Sequence, residues 1–245
     1  MRSRLVELDF EQTPIGGLSL RRRVEPVTGR EVHEVKLGDE YIMSSLFVEG
    51  EEELARIALA RLAGDGPFDV MVTGLGLGYT AAAALADARV GALVVVEALP
   101  TVVRWHREGL VPLGPVVAGD ARTSFVTDDF FAVVREGRGL DGGGSPRRFH
   151  ALVVDIDHSP RHVLAPAHAD LYTAEGLGRL MRHLHPDGVF ALWSDDPPDA
   201  EFLAVLQGVR PGAEAAVVEF ANPLAGGRSA NTVYVAGAPP GVPGR

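Results

Sequence analysis

The spacing of apolar residues changes near residue 48 of this chain. Before that point, apolar residues fall in short, partly alternating segments separated by proline and glycine, which is typical of antiparallel strands joined by turns. Over residues 51–62 they recur every three or four positions, which predicts a helix packed on a core. We therefore predict a small antiparallel β unit over 1–48, ahead of a larger domain.

The larger domain is organised around the segment 68–85, which reads as strand, tight turn and helix. An apolar run leads to Gly74, Gly76 and Gly78, and an alanine-rich stretch follows. Glycine allows positive φ and a close approach of backbone to ligand, and a helix start offers free N–H groups. The turn is predicted to bind a nucleotide. The alternative is that the glycines only let the helix pack on the strand.

Carboxylates stand at the ends of the strands that follow. The strands are predicted over 92–97, 116–121 and 149–157, and they carry Glu97, Asp120, Asp155 and Asp157 at or near their ends. Glu97 lies about twenty residues after the glycines, the spacing at which an acidic residue reaches ribose hydroxyls. Ligands of parallel sheets bind at the carboxyl ends of the strands, so these side chains are expected to converge there.

Strands alternating with helices predict a parallel sheet with helices on both faces. Helices are predicted over 100–108, 125–134 and 173–185, a fifth strand over 189–193, and a helix with a terminal hairpin over 202–235. The fold class is thus α/β: a Rossmann-like, mostly parallel sheet with a C-terminal antiparallel hairpin. The predicted units are the β unit 1–48, the main domain 49–238 and a tail 239–245.

Composition narrows the classes of function. The formal net charge of −10 argues against a nucleic-acid partner bound through broad phosphate neutralisation. The absence of cysteine excludes disulfides, thiolate metal ligands and a cysteine nucleophile. No metal site is expected, since the spacing of His158, His162 and His168 fits no compact helix pair. No apolar run reaches the roughly 18 residues of a membrane span, so a cytoplasmic location without membrane partners is expected.

The ordered motifs resemble the class I S-adenosylmethionine-dependent methyltransferase fold, and within it the spermidine synthase (polyamine aminopropyltransferase) branch. They are Gly74-x-Gly76-x-Gly78, Glu97, Gly119-Asp120-Ala121, Val154-Asp155, and Pro166-Ala167 with Leu171-Tyr172-Thr173. The small N-terminal β unit is a further sign, and the likeness covers about residues 30–235. It implies a transferase of polyamine biosynthesis that works as a homodimer.

The resemblance also implies roles for individual residues. The three glycines would approach the thioether part of an adenosyl cofactor, and Glu97 would hold its ribose hydroxyls. Asp120 and the Ala121 backbone would face the adenine. Asp155 would lie beside the sulfonium, as a cofactor contact and as the catalytic base for an attacking amine. Asp157, His158 and Tyr172 are the candidate substrate-binding residues.

Departures from the family pattern leave three functions open. His158 stands where the synthases have a second aspartate, and Gly176-Leu177 replaces aromatic residues, so the polyamine pocket is diverged. The first function is transfer of an aminopropyl group from decarboxylated S-adenosylmethionine to an amine, with methylthioadenosine as product or inhibitor. The second is methylation of an unknown acceptor by S-adenosylmethionine. The third is a non-catalytic ligand-binding or scaffold protein.

Overall fold

A four-stranded antiparallel sheet opens the fold. It is seen in a computed structural model that describes residues 5–143 and 147–237. Its strands follow chain order: β1 (Leu5–Thr13), β2 (Gly16–Val24), β3 (Glu31–Leu37) and β4 (Glu40–Ser44). Leu18, Leu20 and Val35 are buried in the same core as the glycine turn. The small sheet therefore packs onto the main domain and shares its core.

The main domain is built on a seven-stranded sheet in the order β10-β11-β9-β8-β5-β6-β7. Its strands are β5 (Phe68–Thr73), β6 (Val90–Glu97), β7 (Thr123–Thr127), β8 (Phe149–Val154), β9 (Leu184–Ser194), β10 (Glu214–Asn222) and β11 (Gly227–Ala236). β5 to β9 pair in parallel, whereas β11 runs antiparallel to both β9 and β10. The central strands are buried on both faces, which explains their continuous valine-rich runs.

Helices cover both faces of this sheet. They are α1 (Glu49–Ala60), α2 (Tyr79–Leu85), α3 (Pro100–Arg107), α4 (Gly114–Gly119), α5 (Phe130–Glu136), α6 (Ala174–Leu180) and α7 (Ala200–Val209). Two short 3₁₀ helices span Pro166–Tyr172 and Met181–His183. The first four helices share one apolar core with the small sheet, and the last three share another on the opposite face.

The predicted fold class is confirmed, including the terminal hairpin and the N-terminal β unit. The strand predicted over 116–121 is wrong, because that stretch lies in and after helix α4. Pro115 stands in the first turn of α4, and only one of its two valines is buried, as on a helix face. The strand itself is β7, so the helix predicted from residue 125 begins at Phe130.

The domain division at residues 48 and 49 stays a prediction, and the predicted tail 239–245 lies outside the described residues. Within 5–143 and 147–237, no helix has both the length and the apolar character needed to cross a membrane.

Candidate functional site

The glycine turn lies between β5 and α2, at the carboxyl edge of the sheet. Gly74, Gly76 and Gly78 all have positive φ, of 75°, 46° and 93°. A methyl group at Gly74 would stand 1.9 Å from the backbone oxygen of Asp155, at the end of the neighbouring strand β8. Glycine is required here both for the backbone conformation and for the close approach of two strand ends. The turn brings Gly74 and Asp155 together, as predicted.

Glu97, the last residue of β6, is 8% exposed and reaches back to the same turn. One of its carboxylate oxygens accepts the Leu75 N–H at 2.9 Å, and the other accepts the Leu99 N–H at 2.8 Å. Burial raises the pKa of Glu97, while these N–H groups act in the opposite direction. Each oxygen keeps a further lone pair, so the carboxylate can still receive hydroxyl donors such as those of a ribose.

Asp155 and Glu51 form a half-buried acidic pair beside the turn. The Thr80 hydroxyl donates to the Asp155 carboxylate at 2.5 Å and lies 3.3 Å from the Glu51 backbone oxygen. Burial raises the pKa of Asp155, and the Thr80 bond lowers it only in part. Burial, followed by the charge of Asp155, raises the pKa of Glu51. Two partly desolvated carboxylates without a cation repel each other, so this pair favours a proton or a cationic group between its members.

The first turn of α1 holds Glu51 in this position. A methyl group at Gly50 would stand 2.3 Å from the Asn231 side-chain oxygen and 2.6 Å from the Trp193 indole nitrogen. The first turn of α1 therefore packs closely against β9 and β11, and only glycine fits at position 50. Asn231 in turn donates to Asp195 at 2.9 Å, which adds a third carboxylate to this side of the site. The walls of the site thus carry three carboxyl groups.

The structure does not bring Asp120 and Ala121 to this site. Asp120 precedes β7 and therefore lies at the amino edge of the sheet. There it binds Arg122 at 2.7 Å, which holds the pKa of Asp120 at about 2. Arg122 also donates to the backbone oxygen of Val90, the first residue of β6. The predicted adenine contact was placed on the wrong end of the third strand.

Asp157 and Tyr172 bind each other and not residues of the glycine turn. Asp157 is 2% exposed and accepts from the Tyr172 hydroxyl at 2.7 Å, the Leu164 N–H at 2.8 Å and the ring of His168 at 2.8 Å. These partners belong to the opposite layer from α1 and α2. Asp157 and Tyr172 therefore hold the loop after β8 onto the 3₁₀ helix.

His158 is half-exposed, and its ring lies 3.6 Å from the Glu40 carboxylate. Its substrate-binding role, like those of Asp157 and Tyr172, stays a prediction.

Two residues of this edge were not predicted as site residues. Glu51 belongs to a run of acidic residues, and the pattern of the sequence shows only that this run begins a helix. The inward position of Glu51 depends on the packing of Gly50 against strands that are distant in the sequence. Asp128 follows the last residue of β7, which pairs with Glu97, and its N–H donates to the Glu97 backbone oxygen at 3.2 Å. A signal for Asp128 was present in the sequence. The Thr-Asp-Asp segment before the apolar helix α5 marks the end of a strand and the N-cap of a helix.

A cavity of about 410 Å³ lies apart from the glycine turn, between the loops that follow β8 and β9. Ser159, His162 and Asp196 meet at its edge. The Ser159 hydroxyl and the Asp196 carboxylate lie 3.4 and 2.7 Å from the same ring nitrogen of His162. A nucleophilic triad places its serine and its acid on opposite ring nitrogens, so this cluster is not one.

The chain matches a polyamine aminopropyltransferase of Pyrobaculum arsenaticum with 28% identity over 151 residues. The match covers 62% of this chain and 50% of the relative, so the chain spans about half the length of that protein. No family model matches. The chain is spermidine synthase-like. That resemblance, predicted from the motifs, is confirmed by the relative together with the solved structures.

Among solved structures, spermidine synthase from Thermotoga maritima superposes with a TM-score of 0.68 at 18% identity, covering 97% of this chain and 74% of the synthase. A spermidine synthase in complex with the transition state analogue AdoDATO gives the same values. Human methyltransferase-like protein 13 in complex with SAH gives a TM-score of 0.51 at 18% identity, covering 79% and 80% of the two chains. At these identities the likeness concerns the fold.

Proposed function

We propose that the chain is an aminopropyltransferase-like enzyme that binds an adenosyl sulfonium cofactor and transfers its aminopropyl group to an amine. The observation that carries this proposal is the half-buried pair of Glu51 and Asp155 beside the glycine turn. A pair of carboxyl groups that favours a cation suits a sulfonium and an ammonium group. The similarity to a polyamine aminopropyltransferase supports the same class of reaction.

The residues at the site fit such a cofactor. The glycine turn leaves room for a close approach of the ligand, and Glu97 has lone pairs free for hydroxyl donors. When bound, the sulfonium would supply an electrophilic carbon and a good leaving group. The chain would then need to position the amine and remove its proton. Asp155 is the proposed base, because burial raises its pKa towards the range in which a carboxylate accepts a proton effectively.

The binding step is tested by calorimetric titration with S-adenosylmethionine, its decarboxylated form and methylthioadenosine. Tighter binding of the last two than of the first is expected. Asp155→Asn should keep most methylthioadenosine affinity and lose about 100-fold or more in transfer to amines, the usual contribution of a general base. Asp120→Ala is the matched control, because Asp120 lies at the opposite edge of the sheet. Absence of binding by all three ligands would refute the proposal.

Methylation is the second candidate. The observation in its favour is the fold likeness to a human methyltransferase-like protein in complex with SAH. Preference for intact S-adenosylmethionine in the same titration would support it over aminopropyl transfer. Methylthioadenosine binding without turnover of any amine would indicate the non-catalytic alternative.

The homodimer, the cytoplasmic location and the diverged polyamine pocket stay predictions. The first is checked by light scattering of the purified chain.

A further inference from the structure

Met43 of β4 lies directly on the glycine turn. Its sulfur is 2.8 Å from the backbone nitrogen of Leu77. A methyl group at Gly76 would stand 2.4 Å from the same sulfur and 3.0 Å from the terminal carbon of Met43. The side chain therefore fills the space that the missing Cβ of Gly76 leaves open.

This contact occupies a backbone donor of the turn, the Leu77 N–H. The neighbouring Leu75 N–H donates to Glu97, and the Gly78 N–H donates to the Leu75 backbone oxygen. The Leu77 N–H is directed instead at a thioether, which is a weak acceptor. A weak bond to a side chain from another sheet is one that a better partner can replace.

Met43 also has the means to move away. Its side chain is unbranched with three rotatable bonds, so it can take another rotamer at low cost. β4 is an edge strand of five residues, paired only with β3, and the register between them shifts next to Val35. Met43 is half-buried, so withdrawal does not require opening the main core.

We propose that Met43 is a movable plug on the glycine turn, which occupies the place of the ligand's sulfur-bearing end and is displaced when an adenosyl ligand binds. The inference rests on the proposed function, which puts that end of the ligand over Gly74, Gly76 and Gly78. It assigns to the small N-terminal sheet a part in ligand entry that no motif in the sequence indicates.

The test follows the methionine methyl groups of the full chain by NMR during titration with methylthioadenosine. The chain has four methionines, Met1, Met43, Met71 and Met181. Met43→Leu assigns the Met43 signal and keeps the side-chain volume without the sulfur. The expected result is a large, saturable shift of the Met43 methyl signal, with little change for Met181 in the 3₁₀ helix after α6.

Affinity gives a second readout. Removal of the plug in Met43→Ala should tighten methylthioadenosine binding by about 3- to 10-fold, the equivalent of one weak hydrogen bond. Met43→Leu, which keeps the bulk, should tighten it less. If methylthioadenosine binds but the Met43 signal does not shift, or if the alanine variant binds no more tightly than wild type, the inference about Met43 is overturned. The proposed function is not affected by either result. Failure of wild type and variants to bind any adenosyl ligand overturns the proposed function, and this inference with it.

Discussion

Replacement of Glu51 by glutamine should make the stability of the protein less dependent on pH. Burial and the neighbouring Asp155 carboxylate raise the pKa of Glu51 from 4.5 to about 8. A carboxyl group whose pKa is higher in the folded state stabilises the fold fully below its unfolded pKa. That contribution is lost as pH rises through the folded pKa. The wild type should therefore lose stability between about pH 4.5 and pH 8, and Glu51→Gln should lose less.

The size of the effect follows from the shift. One pKa unit corresponds to about 1.4 kcal/mol, so the full shift of Glu51 would amount to about 5 kcal/mol. Glu51 keeps some contact with solvent, and part of its pKa shift comes from the charge of Asp155. Both facts reduce the free energy that can be assigned to Glu51 alone. We expect Glu51→Gln to be more stable than wild type by about 2 kcal/mol at pH 9 and by less than about 0.5 kcal/mol at pH 5.

Urea unfolding at pH 5, 7 and 9 measures this difference. Glu53→Gln is the matched control, since Glu53 lies on the same helix, has a side chain that is 39% exposed and pairs with the exposed Arg56 at 2.8 Å. An exposed pair contributes little, so that variant should differ from wild type by about 0.5 kcal/mol or less at every pH. If the stabilities of wild type and Glu51→Gln show the same slope with pH, the pair of Glu51 and Asp155 is not held as the structure shows.

Two further variants test the framework of the site. Gly74→Ala should destabilise the fold by about 3 kcal/mol or more in urea unfolding, because it combines positive φ with a backbone clash, whereas Gly119→Ala, with nothing within 4 Å, should be neutral or slightly stabilising. Asp157→Ala should cost about 2 to 4 kcal/mol by leaving Tyr172 and a ring nitrogen without their buried partner, and a loss below about 1 kcal/mol would show that the network is not structural.

The sequence predicted the order of the main elements because their hydrophobic periodicities are strong and because the residues that end each element lie next to it in the sequence. Glycines with positive φ ended β5, and alternating short segments marked the small sheet. The contacts between the two sheets carry no such signal. Met43 on the glycine turn, and Asp9 bound to the Trp105 indole N–H at 2.6 Å, join residues far apart in the chain. Such pairs depend on docking geometry, which no local pattern encodes.

The acidic pair shows the same limit within the site. Asp155 was predicted because a carboxylate at the end of a buried strand is visible in the sequence. Glu51 is one of three consecutive glutamates, and Glu52 and Glu53 both bind Arg56 on the outer surface of α1. Only the packing of Gly50 against β9 and β11 selects which glutamate turns inward. Sequence spacing gives the face of a helix, whereas burial of a charged residue on that face follows from tertiary contacts.

The misplaced third strand leads to the last prediction. Two segments of the sequence pass from apolar residues to an aspartate, and either could form the strand that ends beside Glu97. In the structure Asp128 follows that strand, and Asp120 does not. If an adenosyl ligand binds along this edge, Asp128→Asn should weaken methylthioadenosine binding by about 10- to 100-fold, the loss of one charge-assisted hydrogen bond. Asp120→Asn should leave it unchanged.

The ion pair of Asp128 with Arg138 supplies the control. If Asp128 serves only that pair, Arg138→Gln and Asp128→Asn will lower stability alike and leave ligand affinity intact. If Asp128 contacts the ligand, the aspartate variant will lose affinity beyond any change that the arginine variant causes. A calorimetric titration of the three variants beside wild type therefore decides between a structural carboxylate and a binding carboxylate at the end of β7.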